Sequence, residues 1–311
     1  MNEENLRPYP GALLNPKLDP VFKSMFTHNS DEAHHALTEF LSAMLNQQIS
    51  DVSIDQNELP IDSEKDKQSI FDLTCKTDSG KKVMNVEMQG HNDLNSFDNR
   101  SEYHVAHLLN HFVKKGTSWK NVPEAVMISV LNFVYDEDVK DGFLVYKMRL
   151  NDGTGLKSAR LKIIYLELPK FEKLPDMPLK KLTAIEKWAK FFLYANRKEK
   201  TEYVKMLAET EEGIMYAQRV LDSISQSDAE WRRERDYIDA VNTEITIRME
   251  AKEAGMEEGR QEGLQEGLQK GLQKGIQQAT VSIIYNMKAQ GLSSELIASC
   301  TGLSIEEINA L

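Results

Sequence analysis

The chain has little cysteine, no long apolar run and no excess of positive charge, and each absence excludes a class of protein. Its 311 residues contain two cysteines, Cys75 and Cys300, so we expect neither a disulfide framework nor a cysteine zinc site. No run approaches the ~18 apolar residues of a membrane span, and the polar stretch from Met1 to Arg7 does not resemble a signal peptide. These absences favour a cytoplasmic protein without a membrane segment.

The formal net charge of −11 argues against a broad cationic surface. Phosphate neutralisation normally supplies most of the non-specific affinity for nucleic acid. A nucleic-acid site on this chain would therefore be a local basic cleft, or a metal ion that serves one phosphate.

Hydrophobic periodicity predicts an α/β or mixed α+β fold with a helical C-terminal extension. A β-hairpin is expected between Ile70 and Gln89, and the pattern is helical from Leu179 to about Ala251. Helices are predicted within Asn15–Phe26, over Asp31–Leu45 and over Phe97–Lys115. The third helix has Tyr103, Ala106, Leu109 and Val113 on one face and Gly116 at its end. Runs rich in β-forming residues begin at Ala125, Phe143 and Ala159. We expect a core over residues 1–178, a helical extension over 179–250, a glycine repeat over 251–279 and a small helical hairpin over 280–311.

Glycine recurs every four residues from Gly255 to Gly275. A period of four lies near the helical 3.6, so the glycines, and the apolar residues that follow them, would form ridges along one helix. Each glycine costs roughly 1 kcal/mol relative to alanine, and close packing against a second helix would offset that cost. A flexible low-complexity linker is an equally good interpretation. The apolar residues are Leu264, Leu268, Leu272 and Ile276.

The last segment, from Gly291, predicts two short helices with Ser293 and Ser304 as N-caps, and Glu307 completes a capping box with Ser304. The second helix contains no Lys or Arg, which is unfavourable for reading DNA. A docking or dimerising hairpin is therefore the favoured interpretation.

The predicted hairpin has one apolar and one polar face. Thr77 to Gly80 is a strong turn signal, with glycine where a positive φ is needed. Side chains alternate along a strand, so the apolar set would face a core and the polar set would share the other face. The apolar set is Phe71, Leu73, Cys75, Met84, Val86 and Met88, and the polar set includes Asp72, Asn85, Glu87 and Gln89.

Two acids on one rigid face, Asp72 and Glu87, repel one another unless a cation lies between them. Oxygen ligands completed by water suit Mg²⁺, and a bound divalent ion polarises a phosphoryl oxygen and acidifies a water molecule. That is the chemistry of phosphodiester hydrolysis. The simpler interpretation, which the hairpin alone favours, is a solvated polar face.

Four segments in order make the chain similar to the family of recombination-promoting nucleases and transposases within the PD-(D/E)XK superfamily. The resemblance implies a nuclease core of order αβββαβ, a DNA substrate and Mg²⁺, with Mn²⁺ as an alternative ion. The glycine-rich tail is also frequent in that family. The segments are NPKLDPVFKSMF from Asn15, FDLTCKTDSGKKVMNVEMQ from Phe71, FDNRSEYHVAHLLNHFVKKG from Phe97 and LELPKF from Leu166.

Residue by residue, the resemblance implies that Asp72 and Glu87 are catalytic acids and metal ligands, and that the backbone carbonyl of Met88 is a further ligand. Gln89 is the third catalytic position, where most of the superfamily has lysine. Lysine holds a positive charge against the attacking water or the phosphate, whereas glutamine only donates and accepts hydrogen bonds. A changed rate or pH optimum is therefore expected.

The auxiliary candidates are Asp19, Lys23, Arg100 and Tyr103, and each has a structural alternative. Asp19 is either a further acid or, directly before Pro20, a helix N-cap. Arg100 and Tyr103 would contact phosphate, or they are a solvated arginine and a core aromatic, and Lys23 is equally ambiguous. His104, His107 and His111 share a helical face with a metal-like spacing, although a packed or solvated face is favoured.

Two functions are compatible with the sequence. The first is a Mg²⁺-dependent endodeoxyribonuclease, acting as a homodimer in DNA recombination or mobile-element processes. The second is a weak or inactive nuclease-fold module that binds or regulates and assembles through its C-terminal helices. Asp72 and Glu87 favour the first function, whereas the net charge and Gln89 favour the second.

Overall fold

The computed structural model of the protein describes residues 6–55, 73–77, 80–90, 97–149, 159–174 and 177–311. The chain forms two compact units, Met1–Ile238 and Asp239–Leu311. In the described part of the chain, no helix is both long enough and apolar enough to cross a membrane.

A six-stranded mixed sheet lies at the centre of the first unit, with the strand order β1-β2-β3-β4-β6-β5. Neighbouring strands are antiparallel except for β3–β4 and β4–β6, which are parallel. A parallel pair needs a crossover, and α3 supplies it between β3 and β4. The strands are β1 Val52–Ile54, β2 Leu73–Thr77, β3 Lys82–Gln89, β4 Glu124–Leu131, β5 Phe143–Lys147 and β6 Leu161–Glu167.

The helices precede the sheet, cross over it and follow it. The order α, β1, β2, β3, α3, β4 confirms the predicted αβββαβ core with a helical C-terminal region. The helices are α1 Asp19–Thr27, α2 Asp31–Leu45, α3 Phe97–Phe112, α4 Leu168–Glu172, α5 Ala184–Tyr194, α6 Thr201–Thr210, α7 Glu212–Ile224, α8 Asp228–Ala289, α9 Ser294–Thr301 and α10 Ile305–Ala310.

The main hydrophobic core lies on the sheet face that the apolar side of the hairpin was predicted to cover. Leu73, Cys75, Met84, Val86 and Met88 all belong to it, together with residues of α1, α2, α5 and α7. Gly80 has a φ of 85°, the positive value that the turn prediction required. Residues 70–72, which the prediction included in the first strand, lie outside the described residues.

Helix α3 packs on the opposite face of the sheet, and its predicted face is wrong. Its buried residues are Phe97, Ser101, Val105 and Leu108, whereas Tyr103 is exposed. Val105 and Leu108 pack on Val83, Ala125 and Met127 of the sheet. The buried Ser101 interrupts this apolar stripe, so hydrophobic periodicity does not reveal it. The helix also ends at Phe112, before the predicted Lys115.

The glycine repeat is helical, because α8 runs from Asp228 to Ala289 without a break. In the second unit, Ile284 of α8 packs with Ile297 and Ile308 of the two short terminal helices. The predicted capping box is present: Ser304 Oγ accepts from the backbone N–H of Glu307. Ser293 occupies the N-cap of α9 without a capping hydrogen bond from its side chain.

Candidate functional site

Glu87 is a buried acid in the middle of the sheet. It lies on β3, and its residue is 4% exposed. Ser129, its register partner on β4, donates a hydrogen bond from Oγ to Glu87 Oε1 at 2.8 Å. A buried carboxyl group is costly unless it has polar partners or a cation, so this position is not one that packing alone would choose.

The polar face of the hairpin is covered rather than solvated. Thr74, Asn85 and Glu87 alternate with the core residues as predicted, yet all three are buried. Ser101 of α3 and Ser129 of β4 are also buried. The interpretation of this face as a solvated surface is therefore wrong, because α3 packs over it.

Gln89 and Arg100 form the edge of the site nearest to α3. Arg100 lies in the first turn of α3 and donates from Nη2 to Gln89 Oε1 at 2.9 Å. Its guanidinium carbon also lies 5.3 Å from the centre of the Phe97 ring. Arg100 is therefore held in place rather than solvated freely, and it brings a positive charge to the residue where a lysine was expected.

Asp19 is the first residue of α1, and it reaches the same site. Its Oδ2 pairs with Lys23 at 2.9 Å. Its Oδ1 is buried and accepts no hydrogen bond from the described residues. Leu18, not Asp19, occupies the N-cap position, so the interpretation of Asp19 as an N-cap is wrong.

The segment before Asp19 is fixed by residues more than 200 positions away. The backbone N–H of Leu14 donates to Ser225 Oγ at 3.0 Å, and that of Asn15 donates to Glu234 Oε1 at 3.2 Å. The start of α8 therefore helps to position α1 and its acid.

The pKa of Glu87 is raised above its ordinary value, chiefly by burial. Hydrogen bonding by Ser129, the positive charge of Arg100 and hydrogen bonding by Gln89 lower the pKa, while the negative charge of Asp19 raises it. These contributions identify the groups that surround Glu87. Two acids, one arginine, one amide and one hydroxyl meet at this place.

Asp72 lies outside the described residues, and strand β2 begins at the next residue, Leu73. Leu73 directly follows Asp72 in sequence and pairs with Val86, which directly precedes Glu87. On the other side of β3, the carbonyl of Gln89 accepts from the backbone N–H of Asn132. Successive carbonyls of a strand alternate in direction, so the Met88 carbonyl points away from β4, towards the β2 side.

The donor set fits a hard cation, although it is incomplete within the described residues. Asp19 and Glu87 supply carboxylate oxygens, one of them without a hydrogen-bond partner there. Oxygen ligands of this kind suit Mg²⁺ or Mn²⁺. No group of three His, Cys, Asp or Glu side chains suited to a metal occurs among the residues that the structure describes.

The histidine face and Tyr103 are not brought to this site. Tyr103 is exposed and stacks on His107, with ring centres 5.9 Å apart. The pKa of His104 is lowered to about 4, first by burial and then by Arg100 and His107. His104 is therefore neutral at pH 7 and adds no positive charge to the site.

Ser129 is the site residue that sequence reasoning missed. It is a single polar residue in the apolar run AVMISVL, and a serine there reads as an ordinary strand residue. Its register with Glu87 on the neighbouring parallel strand could have identified it, but that register cannot be read from the sequence.

The profile of a family described as PD-(D/E)XK nuclease family transposase matches residues 16–244. The matched range includes Asp19, the acid hairpin, α3 and the first part of α8. No curated protein and no solved structure matches the chain at a significant level.

Proposed function

The chain belongs to the PD-(D/E)XK nuclease family transposases, and from this we propose that it is a metal-dependent endonuclease that hydrolyses phosphodiester bonds of DNA. A role in recombination or mobile-element traffic is part of the proposal. The observation that carries it is the buried carboxyl group of Glu87 beside Asp19, with Ser129, Gln89 and Arg100 around it. A cation in the same site would stabilise the charged form of a carboxyl group buried at that position.

We assign the metal-binding role to Asp72, Glu87 and the Met88 carbonyl, with Asp19 as a further acid. A bound Mg²⁺ or Mn²⁺ would polarise a phosphoryl oxygen and acidify a water molecule. Ser129 holds the Glu87 carboxylate in one orientation through its hydrogen bond to Oε1. Lys23 does the same for Asp19 through their ion pair.

Arg100 takes over the electrostatic role of the superfamily's lysine in this proposal. Gln89 cannot carry charge, but it accepts a hydrogen bond from the Arg100 guanidinium. Gln89 thereby orients a permanent positive charge towards the site, where it can attract a phosphate oxygen. Tyr103 has no assigned role, since its ring packs on the histidines of α3.

We also propose assembly as a homodimer through α8 in the cytoplasm. The apolar residues of the repeat are exposed, and the space beside its glycines is open to 4 Å. A ridge of that kind suits close contact with the same helix of a second copy. Two sites related by a two-fold axis would cut the two strands of a duplex. In the cytoplasm the free Cys75 and Cys300 would stay reduced.

Relaxation of supercoiled plasmid by the purified protein tests the function. With Mg²⁺ or Mn²⁺ we expect nicked and then linear plasmid, and with EDTA we expect neither. A protein that binds DNA and assembles, but leaves plasmid intact with every metal, would favour the second candidate, an inactive nuclease-fold module. Gln89 in the lysine position and the exposed ridge of α8 are the observations that support this second candidate.

A further inference from the structure

A cluster of basic side chains surrounds Tyr194 in an otherwise acidic protein. The ring of Tyr194 has Lys190 Nζ at 5.7 Å, Arg197 Cζ at 5.3 Å and Lys200 Nζ at 5.0 Å from its centre. Lys198 Nζ lies 5.1 Å from the centre of the Tyr9 ring. We call these four basic residues and Lys17 the Tyr194 cluster.

The cations of this cluster are close enough to act together. Lys190, Arg197 and Lys200 lie around one ring, so no two are more than about 11 Å apart, near the Debye length of ~10 Å at 0.1 M salt. Their fields therefore add at salt concentrations of about 0.1 M and below. Cation–π contact with Tyr194 holds them in place.

One acid, Glu172, lies beside the cluster, next to Arg197 and Lys17. Arg197 pairs with Glu172 at 2.7 Å. In the described segments, no other residue of the cluster lies within salt-bridge distance of an acid. Lys198 is exposed and Lys200 is half-buried, so both can contact an external anion. Lys190 is buried and contributes its positive charge without contacting that anion.

Lys17 connects the cluster to the proposed active site. It is half-buried and lies near Arg197 and Glu172. Lys17 is two residues before Asp19, so their Cα atoms are at most about 7 Å apart. A strand whose scissile phosphate lies at Asp19 and Glu87 would meet this positive surface next.

We propose that the Tyr194 cluster binds the phosphate backbone of the DNA strand that enters the nuclease site. This inference rests on the proposed function, since that function brings a polyanion to Asp19. The chain carries a net charge of −11, so most of its surface repels DNA and a local positive surface must supply the contacts. Contacts of this kind are made to phosphate and carry no sequence information.

Fluorescence anisotropy of a labelled 20-base-pair duplex tests the inference, with full-length protein in EDTA so that nothing is cut. The test variant is Lys198→Gln/Lys200→Gln. The matched control is Lys81→Gln/Lys120→Gln, which removes the same charge from exposed residues that precede β3 and β4, at the opposite ends of these strands from Glu87 and Gln89. Thermal melting of all three proteins checks that they are folded.

We expect the test variant to bind the duplex about 10-fold more weakly at 100 mM salt, with a plot of log Kd against log salt about 2 units shallower. The control should change the affinity less than 3-fold and leave the slope nearly unchanged. Equal affinity and slope for the parent and the test variant would overturn the inference, as would a parent that binds polyglutamate as tightly as duplex.

The outcome is separable from that of the proposed function. A parent that binds the duplex through the cluster but never cuts plasmid would sustain the inference and refute the nuclease proposal. A parent that cuts plasmid, together with a test variant that binds the duplex as tightly as the parent, would support the nuclease proposal and refute the inference about the Tyr194 cluster.

Discussion

We expect Glu87 to make the stability of the folded protein depend on pH. The pKa of Glu87 is raised in the folded state, mainly by burial, so the folded protein binds this proton more tightly than the unfolded chain does. The contribution of Glu87 to the free energy of unfolding is therefore largest at low pH. It falls as the pH rises from about 4.3, the ordinary value for glutamate, through the raised folded value.

Glu87→Gln removes this titration and keeps the shape of the side chain. In EDTA we expect the variant to gain in free energy of unfolding relative to the parent between pH 5 and pH 8. Urea denaturation at both pH values measures the gain. A variant that becomes less stable than the parent at pH 8 would show that the buried carboxylate is already compensated without a metal.

Ser129 is expected to act on cleavage through Glu87. Ser129→Ala removes a hydrogen bond that lowers the pKa of Glu87, so the acidic limb of the pH–rate profile should move to higher pH. A loss of about 10–100-fold in cleavage at limiting Mg²⁺ is expected, as for other residues that orient a metal ligand. The matched control is Ser101→Ala, which removes a buried hydroxyl from α3. An unshifted pH profile would leave Ser129 with a packing role alone.

The Gln89–Arg100 pair tests where the positive charge of the site resides. Gln89→Ala should impair cleavage less than the loss of either acid, because an amide orients groups and does not hold the ion. Arg100→Gln should cost about 10²-fold, the scale for the loss of one charged donor. Gln89→Lys alone places a second cation beside Arg100, so we expect Gln89→Lys/Arg100→Gln to be the more active variant. A Gln89→Ala protein as inactive as Glu87→Ala would identify Gln89 as a ligand.

Among the elements, those with strong periodicity were predictable and those fixed by distant contacts were not. Helix α2 has the predicted ends, Asp31 and Leu45. Its Asn46 adopts φ 49°, a left-handed end that sequence periodicity alone does not reveal. The buried side of α3 could not be predicted, because a buried serine interrupts its apolar stripe and the strand residues that it packs on are distant in sequence.

Some features of the candidate site could also be predicted from the sequence and others could not. The hairpin alternation predicted that Glu87 and Gln89 share one face and that the apolar residues occupy the other. The position of Asp19 near Glu87 depends on the segment before α1, in which Leu14 and Asn15 donate to Ser225 and Glu234. Sequence periodicity carries no information on such contacts.

The charge pattern of α8 predicts how two copies would pair. Glu262 and Glu266 precede Lys270 and Lys274 at the same four-residue spacing. An antiparallel pair centred on Leu268 would place Glu266 opposite Lys270 and Glu262 opposite Lys274, with the exposed leucines between them. A parallel pair would place like charges together, which is unfavourable.

Deletion of Glu253 to Leu311 should lower the oligomeric state and reduce double-strand cuts more than nicks. Light scattering at micromolar concentration measures the mass. Within the full chain, Glu262→Lys/Glu266→Lys should weaken the dimer at least 10-fold, and Lys270→Glu/Lys274→Glu in the same protein should restore it. A monomeric full-length protein would leave the repeat as a tether.

For the whole molecule, the formal charge of −11 sets the conditions under which DNA can bind. Electrostatic repulsion between the acidic protein and DNA is strongest at low salt. The local attraction of DNA by Lys198 and Lys200 is strongest there too. A divalent ion at Asp72 and Glu87 would reduce the local negative charge where the strand must approach. Metal binding and DNA binding should therefore reinforce one another.

Plasmid nicking by single-substitution variants tests whether Asp72 and Glu87 hold a metal that cuts DNA. Purified parent, Asp72→Ala and Glu87→Ala are incubated with supercoiled plasmid and Mg²⁺, after circular dichroism has shown that all three are folded. The parent should nick the plasmid in a reaction that EDTA abolishes, and each variant should lose at least 10²-fold in rate. Cleavage by either variant at the rate of the parent would show that the substituted acid does not hold the metal.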